Sequence, residues 1–314
     1  MSVRRSLPLL GLRVDMMLTL SLIIAVSGFV FIYLLGPSVG LAGGIFLALL
    51  FNFFMWLISP YLIRAMYRLK PVSKEEMPWL YSTVEMLAAK SGLRKMPQVY
   101  IAPTEVPNAF AFGSPIFGYG VAVTEGLLRI LDEEEIEAVL GHEIGHIRHG
   151  DMHVMMVATA LPAIFLQIGR WFIWGSMFGY GSSRDRDDAG SLYLLGVALT
   201  VIGWLLYLLA LRLSRLREFY ADAHSALTVE RGAEKLQRAL VKIAKNTDPK
   251  LGAQLASAKA LMITDPTQRE LDEDLRSIME REESFFERIM SLFSTHPRLK
   301  DRLMKLEELK RVAG

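Results

Sequence analysis

Long apolar stretches with few or no charged residues constrain this chain more than any other feature. Residues 16–36 and 39–63 contain no charged side chain. In a helix, about 20 such residues cross the roughly 30 Å hydrocarbon core of a bilayer. Because only Pro37 and Ser38 separate the two stretches, we expect them to insert together as a transmembrane hairpin.

Two further apolar stretches occur later in the chain. Residues 152–177 contain Pro162 and Arg170, but neighbouring helices can satisfy the backbone groups that such a proline frees. Residues 192–211 are uncharged and form the clearest of the later stretches. Residues 179–190 between them carry mixed charge and are predicted to be a solvated loop. The sequence therefore predicts four transmembrane helices.

The overall composition supports a membrane protein and excludes several other classes. Hydrophobic residues make up 52% of the 314 residues, and the formal net charge is +2. This balance does not suit a soluble enzyme or a nucleic-acid-binding protein, so the lipid bilayer is the expected surrounding and no nucleic acid is expected as a partner. The chain contains no cysteine, which excludes disulfides, a thiolate nucleophile and a cysteine-ligated metal.

The distribution of Lys and Arg predicts the orientation. Basic clusters lie within residues 4–13, 64–74 and 212–217, all on one side of the membrane if four spans cross it. The positive-inside rule places that side in the cytoplasm. We therefore expect a multi-pass protein of the cell membrane, with both termini and both polar segments cytoplasmic. We read the first span as a retained anchor and not as a cleaved signal peptide.

The predicted organisation has four parts: a transmembrane hairpin (1–65), a first catalytic part (66–151), a second transmembrane hairpin (152–211) and a second catalytic part (212–314). The first catalytic part is predicted to contain a small sheet between helices, which makes it α+β. Its expected elements are a helix at 75–91, strands at 98–102 and 118–124, a segment at 108–113, and a helix that begins near Asp132.

That last helix contains the sequence His-Glu-Ile-Gly-His at residues 142–146. Two histidines four residues apart on one helical face can bind one Zn²⁺ at about 2.0–2.1 Å. The intervening Glu143 can then take a proton from an attacking water. The alternative is a polar helical face with incidental histidines, because a five-residue pattern also arises by chance.

A catalytic zinc usually has a third protein ligand. His149 lies only three residues after His146 and would have to distort the helix to reach the metal. Glu218, after the fourth predicted span, is the preferred ligand. Asp222, one turn later, is expected to accept an N–H from a ligand histidine, as the unligated nitrogen of such a ring usually requires. The alternative for Glu218 is a surface carboxylate beside Arg217.

These residues resemble the HtpX-type membrane metallopeptidases, which are relatives of the CAAX prenyl endopeptidases. The resemblance covers nearly the whole chain and rests on several motifs together. They are Asn-Ala-Phe-Ala-Phe-Gly at 108–113, the histidine motif followed by Asp151, Arg-Glu-Phe-x-Ala-Asp at 217–222, and Ser-Thr-His-Pro at 294–297 followed by Arg302. Arg298 departs from the pattern, because many relatives have a small residue or a proline there.

The resemblance implies a role for each motif. One zinc ion per chain is bound by His142, His146 and Glu218, and Glu143 is the base. Asn108, Ala109, Phe110 and Ala111 border the substrate cleft, either as an edge strand that pairs with the substrate or as an internal strand of the core. His296 is the expected donor to the oxyanion of the transition state. The alternative for residues 294–297 is an ordinary helix N-terminus, with Pro297 at its first position.

The combined expectation is a mainly α-helical integral membrane protein with a gluzincin-like zinc endopeptidase domain. The resemblance implies that it cleaves misfolded or unfolded membrane proteins at cytoplasmic segments during stress. Two other readings stay open. One is a non-catalytic membrane scaffold or holdase with a structural zinc, and the other is an enzyme that processes prenylated C-terminal peptides.

Overall fold

The structure is a computed structural model that describes residues 53–54, 57–58, 60–114, 116–179, 186–247, 268–281 and 284–313. The first predicted span lies outside the described residues, and so does most of the second. Residues 60–66, at the end of the second span and just after it, are helical. The described chain is mainly helical with one small mixed sheet, as expected.

The sheet has four strands in the order β1-β2-β4-β3. They are β1 (Lys70–Pro71), β2 (Gln98–Ala102), β3 (Ala109–Ser114) and β4 (Gly118–Thr124). Strands β2 and β4 are parallel, and the other two pairs are antiparallel. The strands predicted at 98–102 and 118–124 are confirmed with the same bounds. Strand β1 was not predicted, because two residues contain no detectable period.

Helix α1 (Pro78–Lys90) is shorter than the predicted helix at 75–91. It begins at Pro78, a position where the missing backbone N–H of proline costs nothing. Its buried residues, including Leu80, Val84 and Leu87, pack against the sheet and the later helices in one core. A short helix α2 (Glu125–Ile130) follows β4 directly and was not predicted.

Helix α3 (Glu133–His149) is the predicted helix with the histidine motif. Its N-cap is Asp132, whose side chain accepts the N–H of Glu135 while the Glu135 carboxylate accepts the N–H of Asp132. Gly150 ends the helix in the left-handed region at φ 68°, which glycine adopts without strain. Helix α3 is therefore capped at both ends by local sequence, and its length is set before it packs.

Two helices correspond to the later predicted spans. Helix α4 (Asp151–Trp174) continues into a π-helical turn (Gly175–Gly179), and helix α5 spans Arg186–Thr228. Within the described residues, Asp151–Met177 and Ala189–Thr228 are long and apolar enough to cross a membrane. The two spans predicted before them are not tested by the described residues.

One sequence prediction about α5 was wrong. Residues 186–190, predicted to belong to a loop, form the first turns of the helix. The helix also continues past residue 211 to Thr228, because no glycine or proline interrupts residues 204–228. The predicted fourth span and Glu218 therefore lie on one rigid element.

Small residues bring α4 and α5 close together. A Cβ atom added to Gly169 would lie 2.8 Å from the carbonyl oxygen of Gly196, and one added to Gly203 would lie 2.8 Å from Leu166. Such close backbone approach is typical of helices that pack in membranes. The tight contact fixes how far α5 is shifted along α4.

The C-terminal helices complete the protein. They are α6 (Gly232–Thr247), α7 (Gln268–Glu280), α8 (Phe285–Leu292) and α9 (Leu299–Ala313). Leu236 of α6 and Leu306 of α9 join the core that also contains α1, α3 and the sheet. Helix α9 begins at Leu299, so Pro297 lies before the helix and not at its first position.

Candidate metal centre and catalytic cleft

The two histidines of α3 meet on its buried face. His142 and His146 are each less than 10% exposed, and their Nε2 atoms are 3.1 Å apart. The rings lie nearly perpendicular, with centroids 4.7 Å apart. Both Nε2 atoms therefore point to the same place, as two ligands of one ion must.

Glu218 of α5 reaches this place from the other side. Its Oε2 lies 3.8 Å from His142 Nε2, and its Oε1 lies 3.5 Å from His146 Nε2. Ligands about 2.0–2.1 Å from a tetrahedral ion are about 3.3 Å from one another, close to the separations seen here. His142, His146 and Glu218 form a buried group that can hold a metal ion. The donors, two imidazoles and a carboxylate, are ones that zinc accepts.

The second nitrogen of His142 faces a buried carboxylate. His142 Nδ1 lies 2.8 Å from Asp222 Oδ1, and Asp222 is fully buried. Arg302 of α9 donates two hydrogen bonds to Asp222, at 2.9 Å to Oδ2 and 2.6 Å to Oδ1. Burial opposes the charge of Arg302, but the Asp222 carboxylate outweighs burial and raises the pKa of Arg302. This relay leaves His142 Nε2 free for a metal.

His146 has a similar relay built from other residues. Its Nδ1 lies 2.6 Å from Oδ2 of Asp151, the first residue of α4. Arg217 Nε lies 3.2 Å from the same oxygen. Burial lowers the pKa of His146, but Asp151 and the neighbouring carboxylates raise it overall. Sequence reasoning recognised Asp151 only as part of a motif. The signal that was available is Gly150, which turns the chain so that Asp151 points back to the helix.

Glu143 lies beside the metal group and is held by strand β3. Its Oε2 accepts a 2.8 Å hydrogen bond from the backbone N–H of Ala111. The side chain is buried. Burial raises the pKa of Glu143, while the two imidazoles and the Ala111 N–H oppose that change. The carboxylate is thus held in one orientation, on the side of the cleft where β3 runs.

Strand β3 is an edge strand among the described residues, which favours the first of the two alternatives for this segment. The backbone of Asn108 pairs with Thr124 of β4, and the register places Phe110 and Phe112 opposite Ala122 and Gly120. Because bonding alternates along an antiparallel pair, the backbone groups of Ala109, Ala111 and Gly113 point away from β4. The Ala111 N–H that bonds Glu143 is one of them.

His296 also reaches the centre, from the loop before α9. Its Nδ1 lies 3.2 Å from Glu218 Oε2, although 69% of its side chain is exposed. The hydrogen bond to Glu218 raises the pKa of His296, against a smaller opposite effect of burial. Arg215 fixes the start of this loop, because it donates to the carbonyl oxygens of Leu292 and Ser294 at 2.9 and 2.8 Å.

The two histidines that follow the motif, His149 and His153, lie outside the metal group. His149 Nε2 lies 3.3 Å from His224 Nδ1, and its ring packs on Tyr220 with centroids 4.1 Å apart. His153 Nε2 lies 3.0 Å from the hydroxyl of Tyr119. Both histidines instead link the end of α3 and the start of α4 to neighbouring elements.

Comparison with known proteins agrees with this geometry. Residues 74–310 match peptidase family M48. The chain is 41% identical over 280 residues to "Protease HtpX homolog" of Aeropyrum pernix, covering 85% of this chain and 86% of that protein. It is 42% identical over 223 residues to "Protease HtpX homolog 2" of Saccharolobus solfataricus, covering 69% and 68%.

Among solved structures, the chain resembles the crystal structure of S. mikatae Ste24p. The TM-score is 0.58 with 19% identity, and the match covers 96% of this chain and 67% of that chain. At this identity the likeness is one of fold. The family match and the relatives together show that this chain belongs to peptidase family M48 and to its HtpX-type membrane proteases.

Proposed function

We propose that this chain is a gluzincin-like zinc endopeptidase in which His142, His146 and Glu218 hold one zinc ion and Glu143 is the general base. The observation that carries the proposal is the position of Glu143. Its carboxylate lies beside the three ligands and is tied to an edge strand by the 2.8 Å bond from Ala111. One residue therefore faces both the metal group and the surface on which an extended peptide can pair.

The reaction follows from these positions. Zinc, when bound, supplies Lewis acidity to the attacking water and to the peptide carbonyl. Glu143 takes a proton from the water and later delivers it to the leaving amine, as a general base and then a general acid. Asp222 and Asp151 keep the two imidazoles oriented, so that neither ligand has to reorganise during the reaction.

We propose His296 as the donor that stabilises the oxyanion. It lies at the rim of the centre, within 3.2 Å of Glu218, and much of its ring faces solvent. A donor at this position can meet the negative charge that develops on the substrate oxygen. The contact with Glu218 keeps the ring close to the cleft before a substrate arrives.

The substrate class is proposed from the edge strand and from the relatives. Residues 108–111 border the cleft, and the outward backbone groups of Ala109 and the outward carbonyl of Ala111 can form main-chain hydrogen bonds with an extended chain, while the Ala111 N–H bonds Glu143. This favours unfolded or flexible polypeptides. The relatives are named HtpX proteases, which supports a proteolytic activity. From the resemblance of the motifs we propose a stress quality-control role with misfolded membrane proteins as substrates.

The proposed topology keeps four transmembrane helices in two hairpins (1–65 and 152–211), which alternate with the catalytic parts 66–151 and 212–314. The active site and both termini face the cytoplasm, so cleavage falls on cytoplasmic segments. Two of the four spans coincide with candidate membrane helices. Protease-accessibility mapping tests the orientation, and finding Glu143 outside the cell would exclude it.

The function is tested with detergent-solubilised protein and casein as an unfolded substrate, with chelator and with added zinc. We expect cleavage that stops with chelator and returns with zinc.

Glu143→Gln should keep zinc yet lose cleavage by several orders of magnitude, whereas Glu218→Ala should lose the metal. A scaffold with a structural zinc predicts instead that Glu143→Gln is harmless. A prenylated peptide in the same assay distinguishes the third reading.

A further inference from the structure

Because α4 and α5 pack antiparallel, residues at the same position along the membrane normal can be identified on both helices. Strand β3 can then be placed on the same scale. Leu166 lies against Gly203, and Gly169 lies against Thr200. Both pairs define the same register between the two helices. In that register His153 lies level with Leu216, one residue from Arg215.

Arg215 marks the membrane surface on α5. The uncharged residues 192–211 end four residues earlier, which is about 6 Å along a helix. Each headgroup layer of a bilayer is roughly 5–8 Å deep. When the bilayer boundary is placed at the end of this uncharged stretch, Arg215, and therefore His153, falls at the level of the lipid headgroups.

The turn between β3 and β4 reaches this level. Tyr119, the second residue of β4, contacts His153 at 3.0 Å. Ala111 of β3 contacts Glu143, and Gly113 of the same strand pairs with Tyr119. The strand therefore approaches the membrane from Ala111 toward Gly113. The turn that contains Ile116 and Phe117 lies beyond that point.

The turn itself is apolar and exposed. Ile116 is 63% exposed and Phe117 is 47% exposed. The Phe117 ring packs edge-on against Tyr61, with centroids 5.1 Å apart. Tyr61 belongs to the stretch 39–63, which is predicted to span the membrane. The turn thus contacts the point at which a predicted span leaves the bilayer.

A second exposed apolar patch lies at the same height. Arg215 bonds the carbonyl oxygen of Leu292, the last residue of α8. On this helix Phe285 is 78% exposed, Ile289 37% and Leu292 54%. An amphipathic helix held at headgroup level presents such a face to lipid. The exposed apolar side chains of the β3–β4 turn and of α8 therefore lie at the same position along the membrane normal.

We infer that the Ile116–Phe117 turn rests in the lipid interface and that β3 holds the catalytic groups at a short fixed distance from the membrane, so that membrane-anchored polypeptides are cut just outside the bilayer. Ala111 lies five residues before Ile116, which is at most about 17 Å of extended chain. A substrate that leaves the bilayer and extends along β3 meets Glu143 after about five residues. This inference rests on the proposed endopeptidase function and adds where the substrate is cut.

The test uses the full-length protein in lipid nanodiscs with a single-span substrate. The cytoplasmic tail of this substrate repeats one short cleavable sequence, so that every repeat offers the same bond. Mass spectrometry maps the cuts. We expect most cuts within about the first ten residues of the tail, and evenly spread cuts when the same tail is supplied without its span. Evenly spread cuts on the anchored substrate would overturn the inference.

A pair of substitutions tests the role of the turn. Replacing Ile116 and Phe117 by Asp should spread the cuts along the anchored tail and leave cleavage of the free tail within about twofold, because surface changes away from the core cost little stability. Val106→Asp is the matched control, since Val106 is 61% exposed on the loop at the other end of β3. It should keep the wild-type pattern. An unchanged pattern in the double variant contradicts the inference.

A labelling measurement keeps the inference testable if the double variant does not fold. The chain has no cysteine, so Ile116→Cys and Val106→Cys each provide one site for a fluorophore. Lipids with a quencher near the headgroup should quench the label at 116 and not at 106. If the label at 116 is not quenched, the lipid contact is refuted. This is the result expected if another part of the chain or a second copy covers the turn. Loss of free-tail cleavage by wild-type protein would instead refute the endopeptidase function.

Discussion

The two histidines proposed as metal ligands occupy equivalent positions in their motif, yet their supports come from different parts of the chain. His146 is held by Asp151, five residues away, which is contacted in turn by Arg217 of α5. His142 is held by Asp222, which is held in turn by Arg302, 80 residues further along. The His146 support needs only the membrane helices. The His142 support needs the C-terminal helix α9 to be docked.

This difference teaches that the integrity of the metal centre depends on two separate packing events. Asp222 is fully buried and receives two hydrogen bonds from Arg302, whereas Asp151 has one close contact with Arg217. We therefore expect the His142 side to be the more sensitive to substitution. The following predictions are ordered by their expected effect on zinc affinity.

The largest effect is expected from Asp222→Ala. This change removes the partner of His142 and leaves the Arg302 guanidinium buried without its carboxylate. Breaking a buried pair in this way costs about 3–5 kcal/mol of stability, and zinc affinity should fall by about 100-fold. Competition titration with a chromophoric chelator and thermal unfolding in detergent measure both. If this variant binds zinc as tightly as the wild type, the metal centre does not depend on the support that Asp222 gives His142.

A smaller effect is expected from Asp151→Ala. His146 loses its acceptor, but only one arginine contact is lost with it. Zinc affinity should fall by about 10-fold, with a smaller loss of thermal stability than in Asp222→Ala. The same titration and unfolding measurements apply. If this variant proves the more damaging of the two, the membrane helices and not α9 provide the critical support.

Exchange of arginine for lysine sharpens the comparison further. Arg302→Lys keeps the charge but loses the two-pronged geometry, so we expect a loss of zinc affinity of less than about 10-fold. Arg217→Lys is the matched control and should cause a smaller loss, because Arg217 makes a single close contact. Equal losses of zinc affinity in the two variants would show that the two hydrogen bonds from Arg302 to Asp222 contribute no more than the single contact of Arg217.

The smallest effect on zinc affinity is expected from His296→Ala. The His296 ring is largely exposed and contacts Glu218 at the rim of the centre. Zinc binding should change by less than about fivefold, because exposed ion pairs contribute about 0.2–1 kcal/mol. Cleavage of casein should nevertheless fall by about 100-fold if His296 is the oxyanion donor. A strong loss of zinc with unchanged turnover per bound zinc would assign His296 to the ligand set.

Local patterns explain which parts of the fold were predictable. Helix α3 could be read from its acidic first turn and apolar spacing, and β2 and β4 from their β-branched residues. Strand β1 and helix α2 were missed, because two and six residues contain too little periodicity to detect.

The candidate site was predictable only where chemistry alone restricts the choice of residues. With no cysteine in the chain, a metal has to be held by histidine and carboxylate, which directed attention to Glu218. The relays through Arg217 and Arg302 were not predicted. Their partners lie far apart in sequence, and no local pattern indicates which buried carboxylate a given arginine will meet.

The sequence by itself determined the helix that carries the histidine motif, the apolar stretches and the kinds of atom available to a metal. These follow from contacts between residues a few positions apart, which hydrogen-bonding and solvation rules govern directly. Only the tertiary structure decided that Glu218 meets the imidazole pair and that strand β3 faces Glu143. The meeting of Glu218 with the imidazole pair depends on how closely α4 and α5 pack at Gly169 and Gly196, because that contact sets the position of every residue beyond it on α5. The contact of β3 with Glu143 depends instead on how the sheet packs against α3.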